Sequence, residues 1–263
     1  MDGPRALRET IAALRGRAGA GLVPLFVAIG AATVVAQQTL ADAAARLAAR
    51  ADVSTGSLLL DPAATATPLS LGVSYPVALA TVFGVALVAE YAAVVTLRVV
   101  TGSALRSAAT RRVVTTVAVG FLVGSLVRTL VALGLLALVV PGVFLAVSLL
   151  FAHAAIAIDD AGPWEALERA WELASGRRTE LAGILSLLVV LYLTPRLVGS
   201  YVPGTPGLLA GGAVAGVGGL LSAGVVGRAY HAATREGDEP DHEPEETDPY
   251  DAPLGADDLP EPE

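Results

Sequence analysis

The segment Val113–Ile158, VVTTVAVGFLVGSLVRTLVALGLLALVVPGVFLAVSLLFAHAAIAI, decides the class of fold. Only Arg128 and His153 carry an ionisable side chain across its 46 residues. A helix needs about 20 apolar residues to cross the hydrocarbon of a bilayer, so this tract is too long for one crossing and suited to two. Pro141-Gly142 pairs a helix breaker with the most permissive residue and is the expected tight turn between them. The segment therefore reads as a helical hairpin, with spans over about 115–140 and 143–158.

Upstream, Arg98, Arg106, Arg111 and Arg112 form a short basic loop that closes a span over about 72–97. Before it, Asp42 to Leu71 is a mixed polar loop with Asp61-Pro62 and Pro68 as breakers. Gly21 to Ala41 is apolar and uncharged and makes the first span. A basic start, an apolar core and Ala41-Asp42-Ala43 also imitate a signal peptide, but the apolar stretch is long and Gln37 and Gln38 sit awkwardly before such a site. Residues 1–20 form an amphipathic segment in which Leu7, Ile11 and Leu14 recur at helical spacing with Arg8 and Arg15 off the stripe, a pattern that predicts a helix along the membrane surface.

Downstream, Asp159 ends the apolar run. Pro163 suits a first helical position, and Trp164, Leu167, Trp171 and Ala174 share one face opposite Glu165, Glu168 and Glu172, which predicts a second in-plane helix over about 163–176. A fifth span follows over about 182–199, interrupted by Pro195-Arg196. The sixth, about 207–227, is glycine-rich, with Gly207 and Gly211, then Gly212 and Gly216, at four-residue spacing that lets helix backbones approach closely. The reading is an all-α integral membrane bundle of about six transmembrane helices and two in-plane helices, with residues 21–230 as the membrane domain.

Composition agrees. The chain of 263 residues is 54% hydrophobic and 16% charged, far from the quarter or so of charged residues usual in soluble domains. Its net charge of −8 is unevenly placed, because 13 of the 25 acidic residues lie between Glu236 and Glu263, where there is no Arg. The membrane part is thus basic. Residues 231–263, rich in Pro, Asp and Glu, are expected to form a disordered acidic tail. Every cation is Arg, with no Lys, and together with the acidic tail this suggests a GC-rich, high-salt, haloarchaeal source.

Orientation follows from the Arg positions, since loops on the cytoplasmic side retain positive charge. With the N-terminus inside, the inner segments hold Arg5, Arg8, Arg15, Arg17, Arg98, Arg106, Arg111, Arg112, Arg169, Arg177, Arg178, Arg228 and Arg235. The outer ones hold only Arg46, Arg50 and Arg196. Six spans of a multi-pass cell-membrane protein with both termini cytoplasmic satisfy this bias, and an odd number of spans does not.

Ionisable residues inside the membrane are costly and mark candidate sites. Glu90 lies about seven residues from the inner end of span two. Arg128 lies nine to fifteen residues from the inner end of span three, so the two differ in depth by a few ångströms or by about 12 Å, depending on where that helix begins. The two residues either line a cavity or form an ion pair, and such a pair is either a structural contact or a proton- or substrate-binding pair. His153 has no second His, Asp or Glu at helical spacing within its span and reads as an interfacial or helix-contact residue. Asp159-Asp160 stops span four and favours the positive end of the next helix. No Cys is present, the three His residues are scattered, and Gly211 to Gly219 lack the strand, Lys and Ser/Thr context of a phosphate loop. No catalytic, metal or cofactor site is predicted, and no nucleic-acid partner.

The stretch PGVFLAVSLLFAHAAIAIDDAGPWEALERAWELASGRRTELAGIL, Pro141–Leu185, carries a Pro-Gly opening a span, a short acidic exit, then Ala166-Leu167, Trp171, Leu173, Gly176 and a basic cluster before the next span. It resembles the membrane-domain family first named from the membrane part of certain glycerophosphoryl diester phosphodiesterases. The opening ALRETIAALRGRAGAGLVPLF is similar to archaeal relatives. The resemblance implies a six-span domain without the soluble catalytic domain that carries the phosphodiesterase activity. Ala170-Trp171 stands where relatives often have Ser-Trp. The first functional expectation is a non-catalytic structural, assembly or regulatory membrane component, with membrane lipids as partners and a protein partner or second copy meeting the glycine-rich sixth span. The second is a transporter or permease-like carrier using Glu90 and Arg128, with broken spans at Pro141 and Pro195.

Overall fold

Peptide groups in hydrocarbon have no water to bond, so an apolar tract must satisfy its backbone internally, as a helix does. The structure is a computed structural model that describes residues 3–50 and 67–238. Among those residues there are helices and no strand, and six helical stretches are long and apolar enough to cross a membrane: Gly19–Arg50, Tyr75–Val100, Val113–Ala137, Val139–Asp159, Arg178–Tyr201 and Gly204–Glu236. The all-α bundle of six spans is therefore the fold.

Helix α1 (Gly3–Leu14) precedes α2 (Arg17–Arg50). Gly3, Ala6 and Thr10 are the positions of α1 buried against the bundle, while Ile11 of the apolar stripe is 39% exposed. Small residues let it dock on the bundle, with Gly3 over Gly183 and Ile184, and Thr10 against Gly224. The loop expected from Asp42 begins later, because α2 continues through Arg50. Arg46 then holds the next crossing, donating to the carbonyls of Gly72 and Val73 at 3.2 and 2.8 Å and pairing with Asp42 at 3.0 Å. The rest of that loop, residues 51–66, lies outside the described residues.

Helix α3 (Tyr75–Val100) contains Arg98, which was expected in the following loop. Short α4 (Leu105–Thr110) leads to α5 (Val113–Ala137). The hairpin turn falls at Leu138, an extended residue, and Pro141 sits in the first turn of α6 (Val139–Ser148), where a missing N–H costs nothing. Gly142 instead serves as a contact: a Cβ there would strike the backbone of Leu135, so the two arms of the hairpin meet through bare backbone. The fourth span breaks at Leu149–Phe151 and resumes as α7 (Ala152–Asp159).

Helix α8 (Pro163–Ala174) starts at Pro163, with the Glu165 carboxylate accepting from the Gly162 N–H at 3.3 Å. Its buried stripe is Ala166, Ala170 and Ala174, not the tryptophans, and Trp164 is 79% exposed. Gly176, at φ +80°, reverses the chain into α9 in a conformation that favours glycine. Helix α9 (Arg178–Tyr201) runs unbroken through Pro195, where an interruption was expected. Helix α10 (Gly204–Asp238) extends beyond the expected end of the sixth span, so residues 231–238 are helical, and the remainder of the expected tail, 239–263, lies outside the described residues.

Two interactions hold the bundle. The first is a seam of small residues: Gly212 and Gly216 of α10 lie on Gly30 and Phe26 of α2, and Gly211 lies on Pro195 and Gly199 of α9. The second is polar. Arg98, 3% exposed, uses its five N–H donors on the carbonyls of Ala157 (2.6 Å), Arg111 (2.6 Å) and Ala108 (3.3 Å), the Thr116 hydroxyl (3.1 Å) and the Asp160 carboxylate (2.8 Å). Arg111 closes on the other Asp160 oxygen at 2.6 and 3.0 Å. The neighbouring Asp159 accepts from the Tyr230 hydroxyl and pairs with Arg169 at 3.1 Å. The two aspartates, expected only to stop a span, thus join α3, α5 and α7 to each other and α7 to α8 and α10.

Asp160→Asn leaves a buried guanidinium without its counter-charge, and thermal unfolding in detergent should show a loss of about 3–5 kcal/mol. An unchanged midpoint would show that the clamp is unimportant. Gly30→Val should cost about 1–3 kcal/mol by overpacking. Gly84→Ala, with no neighbour within 4 Å, is the matched control and should be neutral.

Candidate functional site

Two helical turns from Arg98 along α3, about 12 Å at 1.5 Å per residue, Glu90 points into the bundle and is buried. Gly120 of α5 makes room for it: a Cβ at that position would lie 2.5 Å from Glu90 Oε1 and 3.4 Å from the His153 ring. His153, on the first turn of α7 just past the break in the fourth span, brings Nε2 to 3.4 Å from Glu90 Oε1. The two atoms are close, yet neither has a hydrogen-bond partner among the described residues. His153 is therefore a partner of Glu90 contributed by another helix, a relation invisible to spacing along its own span.

Arg128 completes the group. Helix α5 begins at Val113, which places the Arg128 backbone well beyond the level of Glu90. Side chains on a helix lean toward its N-terminus, and Arg128 follows that direction, donating from Nε to the Gly124 carbonyl at 3.2 Å. Its guanidinium returns one turn, and the difference in depth is taken up by the side chain. Gly120, Gly124 and Arg128 lie at i, i+4 and i+8, so two bare glycines clear the face over which Arg128 folds. That G-x-x-x-G-x-x-x-R pattern is the trace of the site in the sequence.

Of the two arrangements open to Glu90 and Arg128, a direct ion pair is not formed: among the described residues Arg128 has no carboxylate within 4.0 Å, and the Glu90 carboxylate lies against His153. All three instead line one cavity of about 410 Å³. Val127, Val131, Leu135, Ala146 and Leu149 form its apolar wall toward the α5–α6 hairpin. The volume lies in the range of small-molecule pockets. Its chemistry is amphipathic, with guanidinium donors, a carboxylate and an imidazole at one end and hydrocarbon at the other. Among the described residues no group of three His, Cys, Asp or Glu is placed to hold a metal ion.

The motif residues Pro141, Gly142, Ala166, Leu167, Trp171, Leu173 and Gly176 do not enter this cavity. They build the frame behind it. Ala166 is buried in the core with Leu167 and Leu173 packed beside it, and Trp171 meets the Phe144 ring edge-on at 5.6 Å with Arg178 over both rings.

The profile of a domain family of unknown function (DUF7847) matches residues 3–234, which take in five of the six spans whole, the sixth up to its last two residues, and both short amphipathic-patterned segments. The chain belongs to that family. No curated protein and no solved structure matches it. The DUF7847 match covers the cavity, the Arg98 clamp and the glycine seam together, so the polar core described here lies within the family domain.

Gly120→Ala should drive the Glu90 carboxylate from its place and cost about 1–3 kcal/mol of stability. Combining it with Glu90→Ala should recover most of that loss, a coupling read from a double-mutant cycle of unfolding midpoints. Strictly additive effects would mean that Glu90 does not occupy the space beside Gly120.

Proposed function

We propose that this DUF7847 protein is a non-catalytic, multi-pass membrane protein that binds a small amphipathic ligand in its bundle and works as a permease-like carrier. One observation carries the reading: Glu90, Arg128 and His153, from three different helices, converge on a cavity in which Arg128 has no carboxylate partner. A purely structural pair satisfies its charges internally. Here an arginine and a carboxylate share a cavity without joining, and intramembrane charges so placed are characteristic of substrate paths. The break at Leu149–Phe151 beside His153 supplies the discontinuous helix that carriers use near their sites.

The structural or assembly role has weaker support, since the small residues of α10 that were expected to meet a partner are engaged by α2, α9 and α1 of the same chain. A cytoplasmic location for both termini is part of the proposal and rests on the Arg distribution. A halophilic source rests on the Lys-free composition and on the acids beyond Glu236.

The chain contains no Cys, so single cysteines report water access directly. In intact membranes Gly124→Cys, beside the polar end of the cavity, and Val127→Cys, on its apolar wall, should react with a membrane-impermeant thiol reagent. Leu122→Cys, which faces outward, should not. If the two cavity positions stay unlabelled, the site is dry and the carrier reading fails in favour of a structural one. In the same cells, a C-terminal tag reached by antibody without permeabilisation would overturn the proposed orientation.

A further inference from the structure

A second cavity of about 410 Å³ lies at the opposite end of the polar clamp from Glu90, where α1 meets the end of α10. Its polar lining comes from two helix faces: Arg5 and Glu9 one turn apart on α1, and Arg228, His231 and Arg235 at i, i+3 and i+7 on α10, followed by Glu236. Both carboxylates are already engaged. Glu9 is held by Arg5 at 3.1 Å, and Glu236 by Arg177 at 2.6 Å from the start of α9. Arg228 and Arg235 have no carboxylate within 4.0 Å among the described residues. Arg228 is partly buried, and its Nε is an enclosed donor with no hydrogen-bond partner.

An enclosed guanidinium donor without an acceptor is costly, and two arginines on one helix face, with the nearby carboxylates held by Arg5 and Arg177, attract an anion. We infer that this cavity binds a phosphate group, that of an anionic lipid headgroup, between Arg228 and Arg235. Its position favours a lipid over a soluble phosphate. Arg228 lies inside the sixth span, which reaches Glu236, so the donors sit at the depth where the end of a membrane-crossing helix passes through the headgroups. Basic pockets between helices at that depth suit lipid phosphates. Planar guanidinium groups present paired donors that match phosphate oxygens. The site is independent of the Glu90–Arg128–His153 cavity and does not rest on the carrier proposal.

The test is native mass spectrometry on the purified full-length chain, exchanged into micelles with phosphatidylglycerol or with phosphatidylcholine. The wild type should retain phosphatidylglycerol preferentially. Arg228→Gln/Arg235→Gln should lower that retention about ten- to thirtyfold, whereas Arg106→Gln/Arg196→Gln, with the same loss of charge elsewhere, should leave it unchanged. Arg235→Glu, at an exposed position, gives the same reading without disturbing the core and should also lose the preference. Arg128→Gln should keep it, which separates this site from the cavity above. Equal loss in the Arg106/Arg196 variant would reduce the effect to net charge and overturn the assignment. So would retention only after removal of the acidic residues 239–263, which would make that segment the occupant. If excess inorganic phosphate raises the unfolding midpoint as much as phosphatidylglycerol does, and only when Arg228 and Arg235 are present, the ligand is a free phosphate and the lipid assignment falls.

Discussion

Arg98 is the residue on which the arrangement of the bundle depends. A guanidinium buried at the end of a membrane-spanning helix must satisfy five donors in one place, and only one relative position of α3, α5 and α7 supplies the acceptors. Three are main-chain carbonyls, at helix ends or in short connections, whose own helical bonds are incomplete. The fourth is a hydroxyl, and the fifth is the Asp160 carboxylate. The net stability from such a buried pair is modest, because desolvation offsets much of its Coulomb energy. Its effect is on geometry: a different register of the three helices strands a charge in a medium that cannot solvate it.

That constraint fixes the cavity. Glu90 is carried by α3, Gly120, Gly124 and Arg128 by α5, and His153 by α7, the three helices that Arg98 ties together about 12 Å away. The clamp lets Arg128 share a cavity with Glu90 and His153 without joining the carboxylate. The other half of the bundle uses a different device. Helices α2, α9 and α10 meet through glycines whose missing side chains allow contact of backbone with backbone, with dispersion supplying the attraction where lipid removes the hydrophobic drive. Tyr230 and Asp159 connect the two halves, and Phe151 packs edge-on against the Tyr230 ring at 5.7 Å.

The number and approximate limits of the crossings were legible because hydrocarbon thickness sets a length that composition reveals directly. The polar core was less so. Arg98 follows an apolar run and precedes three further arginines, the pattern of a basic loop, and its acceptors lie up to 62 residues away in sequence. The face by which α8 packs on the bundle was hidden because tryptophans dominate any hydrophobic pattern, while packing between helices in lipid selects alanines that permit close approach. Pro141 and Pro195 looked like breaks, yet one falls in a first turn and the other is accommodated within α9, and the actual break at Leu149–Phe151 contains no Pro or Gly. Glu90, Arg128 and His153 were recognisable singly from the cost of placing them in a membrane. Their grouping required the crossing geometry of three helices: Arg128 folds back along its own helix onto Gly124, and the Glu90 carboxylate meets His153 of another helix.

The central claim is that Arg128 and Glu90 face a common cavity without neutralising each other. The most direct measurement is an electron cryomicroscopy map of the full-length protein in lipid nanodiscs, at a resolution that places the Arg128 guanidinium and ordered groups beside it. The predicted result is Glu90 beside His153, Arg128 apart from Glu90, and density for water or a bound polar group between them. A closed Arg128–Glu90 salt bridge filling the space, with packed side chains around it and no such density, would contradict the account.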